Sequence, residues 1–259
     1  MSEYNYRESK KRVEEILNAE NNIDNDVDLI PKTDGTYKNG VSGWVATIFV
    51  DIRDSTNLFA SGKKSSVAKI VRAFVSEVIE ILDPDNNRIR DIGIRGDCVY
   101  AIYAISQQNR IKNKEEVVEV LNKAFYINTF MKMLNSLLTK RQMQQISVGI
   151  GLSINKDLRV KTGRVHSGVN DNVWIGKSVT YASKLSSMAS KIICDYTPIL
   201  MNSELYNDTI GMLIRNNPGK NVKSWYKTFY DENIGIYYGC DVVMSSFNKW
   251  IDEGMKNDE

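Results

Sequence analysis

The apolar run Trp44–Val50 is followed by a three-and-four repeat of Val67, Ile70, Val71, Phe74, Val75, Val78 and Ile79. The period of burial thus switches from that of a strand to that of a helix within one short stretch. A chain patterned this way must lay helices on a sheet. The alternation recurs downstream. Residues 89–95 and 98–105 read as two strands joined in a hairpin at Arg95-Gly96-Asp97, and 114–138 as a long helix. Ile146, Val148, Ile150, Leu152 and Ile154 alternate strictly, which predicts a strand with one buried face. Residues 159–166 are expected as its partner across Asn155-Lys156-Asp157, followed by a helix over 178–190 and a short strand over 191–196. The order β-α-β-β-α-β-β-α-β predicts an α+β sandwich.

The flanks are less regular. Val13, Ile16 and Leu17 predict a short amphipathic helix within residues 5–20, and the Asn-, Asp- and Gly-rich stretch 21–43 reads as linker and turn. Asp83-Pro84-Asp85-Asn86-Asn87 should end the helix before it. Beyond residue 197 a short helix over 203–210, a hairpin of SWYKTFY with IGIYYG and a helix over 248–255 are expected. A tail of about 60 residues makes a marginal core, so it is expected to pack as an extension rather than stand alone. The expected division is 1–40, N-terminal helix and linker; 41–196, main α+β domain; 197–259, C-terminal extension.

Composition narrows the functional classes. The net charge of +2 over 259 residues is too mild to argue for nucleic acid, and no apolar run suffices for a membrane span. The polar start MSEYNYRESKKR is not a secretory signal. Cys98, Cys194 and Cys240 form no C-x-x-C pair, which fits a reducing cytoplasm. The single histidine, His166, makes triad chemistry improbable and reads as a partly exposed strand residue.

The run Trp44–Val50 ends in a knot of charge, Asp51-Ile52-Arg53-Asp54, before Ser55-Thr56. Asp97 stands at the tip of the predicted hairpin. On neighbouring strands the two carboxylates can converge as hard oxygen ligands for two Mn²⁺ or Mg²⁺ ions, an arrangement used for displacement at phosphorus. A helix starting near Ser55-Thr56 points unpaired amides at an anion. The plainer alternative is that Asp51 and Asp54 cap that helix and Asp97 is a turn residue. Asp54 itself reads as a cap or surface residue, and the four tryptophans as core or interface residues. Tyr181, beside Thr180, is open to either use. Arg95 can pair with phosphate or with Asp91.

FVDIRDSTNLF, IRGDCVYAIY, GRVHSG and WIGKSVTYASKL, in this order, resemble four motifs of the class III nucleotide cyclases. The resemblance covers residues 44–190. It implies a ferredoxin-type β-α-β-β-α-β sheet, with Asp51, Asp97 and the Ile52 carbonyl holding two metal ions. It places Phe49, Arg53, Ser55 and Thr56 against the triphosphate, and implies a head-to-tail homodimer with two shared sites. The positions at which relatives read a purine carry Gly93 and Val173. The transition-state position carries Thr180, which can give one hydroxyl hydrogen bond, and the phosphate-binding position Lys184, without arginine's planar fork. With both aspartates present and the purine readers absent, the chain is similar to the pyrimidine cyclases of Pycsar anti-phage systems. That similarity implies cyclisation of UTP or CTP into a messenger read by a separate effector. A purine cyclase, or an inactive nucleotide-binding module, are the alternatives.

Overall fold

The computed structural model describes residues 4–20, 22–33, 35–61, 63–83, 88–163 and 170–256. In chain order these form α1 (Tyr6–Asn18), β1 (Asn22–Val27), β2 (Asn39–Ile52), α2 (Ser55–Ser61), α3 (Lys64–Leu82), β3 (Ile89–Arg95), β4 (Cys98–Ala104), α4 (Gln107–Lys112) and α5 (Glu115–Lys140). There follow β5 (Val148–Gly163), β6 (Asn170–Ile175), α6 (Lys177–Met188), β7 (Ile199–Asn202), α7 (Ser203–Asn216), β8 (Tyr226–Asp231), β9 (Gly235–Cys240) and α8 (Ser245–Asp252). The sheet runs β3-β4-β2-β5-β7-β9-β8, with β1 beside β2 and β6 beside β5. The neighbours β3-β4, β4-β2 and β2-β5 are all antiparallel, which is the expected ferredoxin-type unit.

Alternation along β2 divides the molecule. Ala46, Ile48, Val50 and Ile52 enter the main core with Phe74 and Val78 of α3 and Leu121 and Phe125 of α5. Thr47, Phe49 and Asp51 point to the opposite face, as a period of two requires. That second face is covered by α6. Its Ser178 hydroxyl lies 2.8 Å from that of Thr47 and donates to the carbonyls of Val45 and Ser153.

The helix lies close because β5 carries glycine beneath it. A Cβ on Gly151 would come 2.1 Å from the Ala182 carbonyl oxygen, and one on Gly149 would come 2.3 Å from that of Ser186. Both contacts are with backbone, which cannot rotate aside.

Several expectations need correction. No turn interrupts β5 at Asn155-Lys156-Asp157. These residues pair with Val45, Trp44 and Gly43 of β2, and the strand's second half, still paired with β2 as far as Val160, takes β6 on its other side. The polar side chains serve long-range contacts instead. Lys156 pairs with Asp26 at 2.8 Å, and Asp157 accepts from the Ser178 and Val179 amides at 3.0 and 3.2 Å. Within 21–43, the expected linker contains β1 and the start of β2, paired in parallel. Polar residues tolerate a strand here because, among the described residues, β1 pairs with β2 alone, and it is largely exposed.

No strand forms over 191–196. Ile192–Cys194 is a 3₁₀ turn with Ile192 and Ile193 exposed, and Asp195 and Tyr196 take left-handed backbone. The Ser190 amide reaches the Thr197 carbonyl and closes the loop, so the buried strand starts later, at Ile199. The tail's hairpin continues the main sheet through β7-β9 pairing. Gly163-Arg164-Val165-His166-Ser167-Gly168 falls, after its first residue, outside the described residues, as do positions 84–87.

Gly151→Ala should destabilise the protein by about 3 kcal/mol, because the added carbon meets backbone that cannot yield. A urea unfolding series measures it. An unchanged midpoint would show that α6 can lift off β5 at little cost.

Candidate functional site

Asp51 pairs in register with Cys98, and Asp97 is the residue before Cys98 at the β3–β4 tip. The loop between Arg95 and Cys98 is only Gly96-Asp97, and Gly96 takes φ +66°, a left-handed value that suits glycine in a two-residue hairpin turn. Strand pairing and a tight turn thus bring the two carboxylates to one end of the sheet. Burial pushes the Asp51 carboxyl above its usual range and the charge of Asp97 adds to this, while Arg53 and Lys191 oppose it. Burial, reinforced by both aspartates, raises the Cys98 thiol to about 12, so it stays protonated.

The donor set suits a hard cation. Oδ2 of Asp97 is buried without a hydrogen-bond partner, an expensive state for a carboxylate oxygen. Among the described residues no group of three or more His, Cys, Asp or Glu side chains is gathered as a metal cage. Two carboxylates without a cage fit a magnesium-like ion that takes its remaining ligands from water and substrate phosphates.

Arg53 lies behind this pair. Its guanidinium is ion-paired with the Asp51 carboxylate, bonds the Asp51 carbonyl and donates to the Ser187 carbonyl at 2.9 Å. It therefore ties β2 to the end of α6. Ile52 is buried, with its side chain in the core. Ser55 and Thr56 open α2, after Asp54 in left-handed backbone (φ +55°). Asp54 is exposed, and its carboxylate accepts from the Asn57 side chain, as expected for a surface residue.

Phe49 and Val173 line a cleft of about 200 Å³ between the β3–β4 hairpin and β6. The ring of Phe49 stacks on Tyr100 with centroids 5.3 Å apart. A Cβ on Gly93 would meet the Tyr100 ring and hydroxyl at 2.8 Å. Tyr100 therefore occupies the space that a longer side chain at 93 would need. Asp91 stands in the same cleft, accepting from Trp174 Nε1 at 3.1 Å and from the Tyr100 hydroxyl at 3.3 Å. Arg95 is beside Asp91 and Tyr100.

Thr180 and Lys184 sit one turn apart on α6, and their observed bonds lie elsewhere. Thr180 donates to the Gly176 carbonyl, and Lys184 pairs with Asp231 of the tail hairpin at 2.9 Å. The hydroxyl of Tyr181 bonds Asn233 of the same hairpin. The cluster of Asp91, Tyr100 and Trp174 was not singled out as a site from sequence. A signal for it existed, since Asp91, Gly93 and Arg95 alternate along β3 and so share a face.

No family model matches the chain. A uridylate cyclase of Treponema porcinum is 41% identical over 256 residues, covering 99% of this chain and 84% of its own length. A uridylate cyclase of Gulbenkiania mobilis is 31% identical over 258 residues, covering 96% of each. Among solved structures, the adenylyl cyclase CyaB of P. aeruginosa matches with a TM-score of 0.57 at 18% identity, over 77% of this chain and 95% of its own. A guanylyl cyclase matches with a TM-score of 0.59 at 13% identity, over 81% and 97%. At these identities the two structures speak for the fold alone.

Replacing Arg53 with Met should raise the Asp51 pKa in metal-free protein, since the guanidinium opposes the rise caused by burial. Carboxyl-carbon NMR titration in chelator reads the change. A fall or no change would show that Arg53 does not act on this carboxylate.

Proposed function

The chain belongs to the uridylate cyclase family, on a fold shared with class III nucleotide cyclases, and on that footing we propose that it converts UTP to 3′,5′-cyclic UMP and pyrophosphate. The observation that carries the chemistry is the convergence of Asp51 with Asp97, whose buried Oδ2 has no protein partner. In the reaction the substrate 3′-oxygen attacks the α-phosphorus, the bond from that phosphorus to the bridging β-phosphate oxygen breaks, and the hydroxyl proton leaves to solvent. Two divalent ions, Mn²⁺ or Mg²⁺, held by Asp51, Asp97 and the Ile52 carbonyl, supply charge neutralisation and activation of the hydroxyl when bound.

The chain's own residues do the positioning. Phe49 and the start of α2, with Ser55 and Thr56, lie beside the carboxylates where the nucleotide would rest. The contacts of Arg53 support a role in fixing Asp51 rather than in touching phosphate. Thr180 offers one hydroxyl bond and Lys184 one charge, which must exchange Asp231 for a phosphate oxygen. Catalysis of this kind is mostly orientation and charge stabilisation.

Thr180 and Lys184 bond away from Asp51 and Asp97, and Ile94, Val173 and Ile175 are exposed on the strands that border the cleft. Both features support a homodimer in which each site draws on two chains. An anti-phage role, with the product read by a separate effector, rests on the resemblance to Pycsar cyclases. Three unpaired cysteines and the lack, among the described residues, of a helix long and apolar enough to cross a membrane are compatible with a cytoplasmic enzyme.

Purified protein given UTP, CTP, ATP or GTP with Mn²⁺ should yield cyclic UMP by mass spectrometry. Asp51→Ala and Asp97→Ala should each lower turnover by about a thousandfold or more at unchanged melting temperature, through loss of a metal anchor. Cyclic AMP as the sole product, or full activity in either variant, would overturn the reading.

Shared sites make a further expectation. An equal mixture of Asp51→Ala and Lys184→Ala proteins, each inactive alone, should regain about a quarter of wild-type activity once subunits exchange, because half the dimers hold one intact site. No recovery, with exchange verified, would place both residues in the same chain's site.

A further inference from the structure

Three residues of β3, Asp91, Gly93 and Arg95, share one face of the sheet by strand alternation. With no side chain at Gly93, Tyr100 lies across the strand and reaches Asp91. From the other side Trp174 of β6 donates its indole N–H to the second oxygen of the same carboxylate. The Asp91 carboxylate is thus pinned at two points on the wall of the 200 Å³ cleft that Phe49 also lines. Two donors leave it acceptor capacity, since a carboxylate has about four lone-pair sites. Burial raises its pKa, against the bond from Trp174, and Arg95 nearby favours the charged form. The parallel Phe49–Tyr100 pair adds a flat aromatic wall at an 18° interplanar angle.

The pyrimidine bases differ at the edge such a group would read. Uracil presents acceptor, donor, acceptor at O2, N3–H and O4. Cytosine presents acceptors at O2 and N3 and a donor at its amino group. A fixed carboxylate opposite N3 accepts from uracil and meets a lone pair on cytosine. Arg95, next to it, supplies a donor for a uracil carbonyl.

We propose that Asp91, clamped between Trp174 and Tyr100, selects the base by accepting the N3–H of uracil. Resting on the cyclase reading, this names the group that sets its substrate. A site built around a hydrogen bond discriminates strongly when the partner is wrong, because its polar group is then left unpaired.

The test measures binding and turnover separately in the full chain. The α,β-methylene analogues of UTP and CTP are titrated calorimetrically into wild type, Asp91→Asn and Trp174→Phe. Product formation from UTP and CTP is followed in parallel, and melting temperatures report folding. Wild type should prefer the UTP analogue. In Asp91→Asn the amide presents a donor toward N3, so the UTP:CTP ratio should fall about tenfold or more in both binding and kcat/KM. Trp174→Phe keeps the carboxylate but removes a pin, and should lower the ratio about threefold.

A purely structural Asp91 would weaken both nucleotides in parallel. An unchanged ratio in both variants, or a wild-type preference for CTP, overturns the inference. Asp91-dependent preference in binding with no cyclic product overturns the cyclase reading alone. Wild type that binds neither analogue overturns both.

Discussion

The seating of α6 on two glycines of β5 is the constraint on which the rest of the structure depends. With Gly149 and Gly151 below it, helix backbone touches sheet backbone, and no side chain separates them. Ser178 inserts between β2 and β5 at the helix start, while Asp157 on β5 takes two of its first amides. Arg53 holds the other end through the Ser187 carbonyl. The face of the sheet that carries Phe49 and Asp51 is thereby roofed by one short helix, anchored at both ends, beside open strands where the candidate site lies.

That anchoring also explains the electrostatics. Asp51 is partly buried near a second carboxylate, an arrangement that costs free energy unless positive charge is supplied. Arg53, two residues further along the chain, supplies it on one side, and its donation to the Ser187 carbonyl at the end of α6 holds the guanidinium in place. On the other side the orphaned oxygen of Asp97 remains without compensation from protein. That end of the sheet therefore carries a buried carboxylate oxygen that no protein hydrogen bond satisfies, a donor of the kind that the proposed divalent cation would take up.

Much of this was legible in residue order. The α+β sandwich followed from the strict alternation of Ile146–Ile154, the three-and-four repeat of Val67–Ile79 and the glycine in the hairpin tip, while its ferredoxin-type strand order was what the resemblance to class III cyclases implied. Asp51 and Asp97 were visible as charges where apolar strands end. Two of the errors share one cause. Asn155-Lys156-Asp157 and the Asn- and Asp-rich stretch before Asn39 were read as turns because such side chains usually bond local backbone. Here Lys156 and Asp157 bond residues distant in sequence, and β1 needs no apolar face because it pairs with one strand and stays wet. Ile192 and Ile193 misled in the opposite sense, as apolar residues left exposed on a tight turn.

The sequence by itself determined the α+β class, the central strands with their covering helices and the two acidic positions, since these depend on local periodicity and on where the pattern breaks. The tertiary structure decided what the polar residues are for. Arg53 turned back onto Asp51, Lys184 paired with Asp231 of the tail, and Asp91 was gripped by Trp174 from a strand far along the chain. Such pairings depend on which strands become neighbours, and a polar side chain carries no mark in sequence of the distant partner that satisfies it.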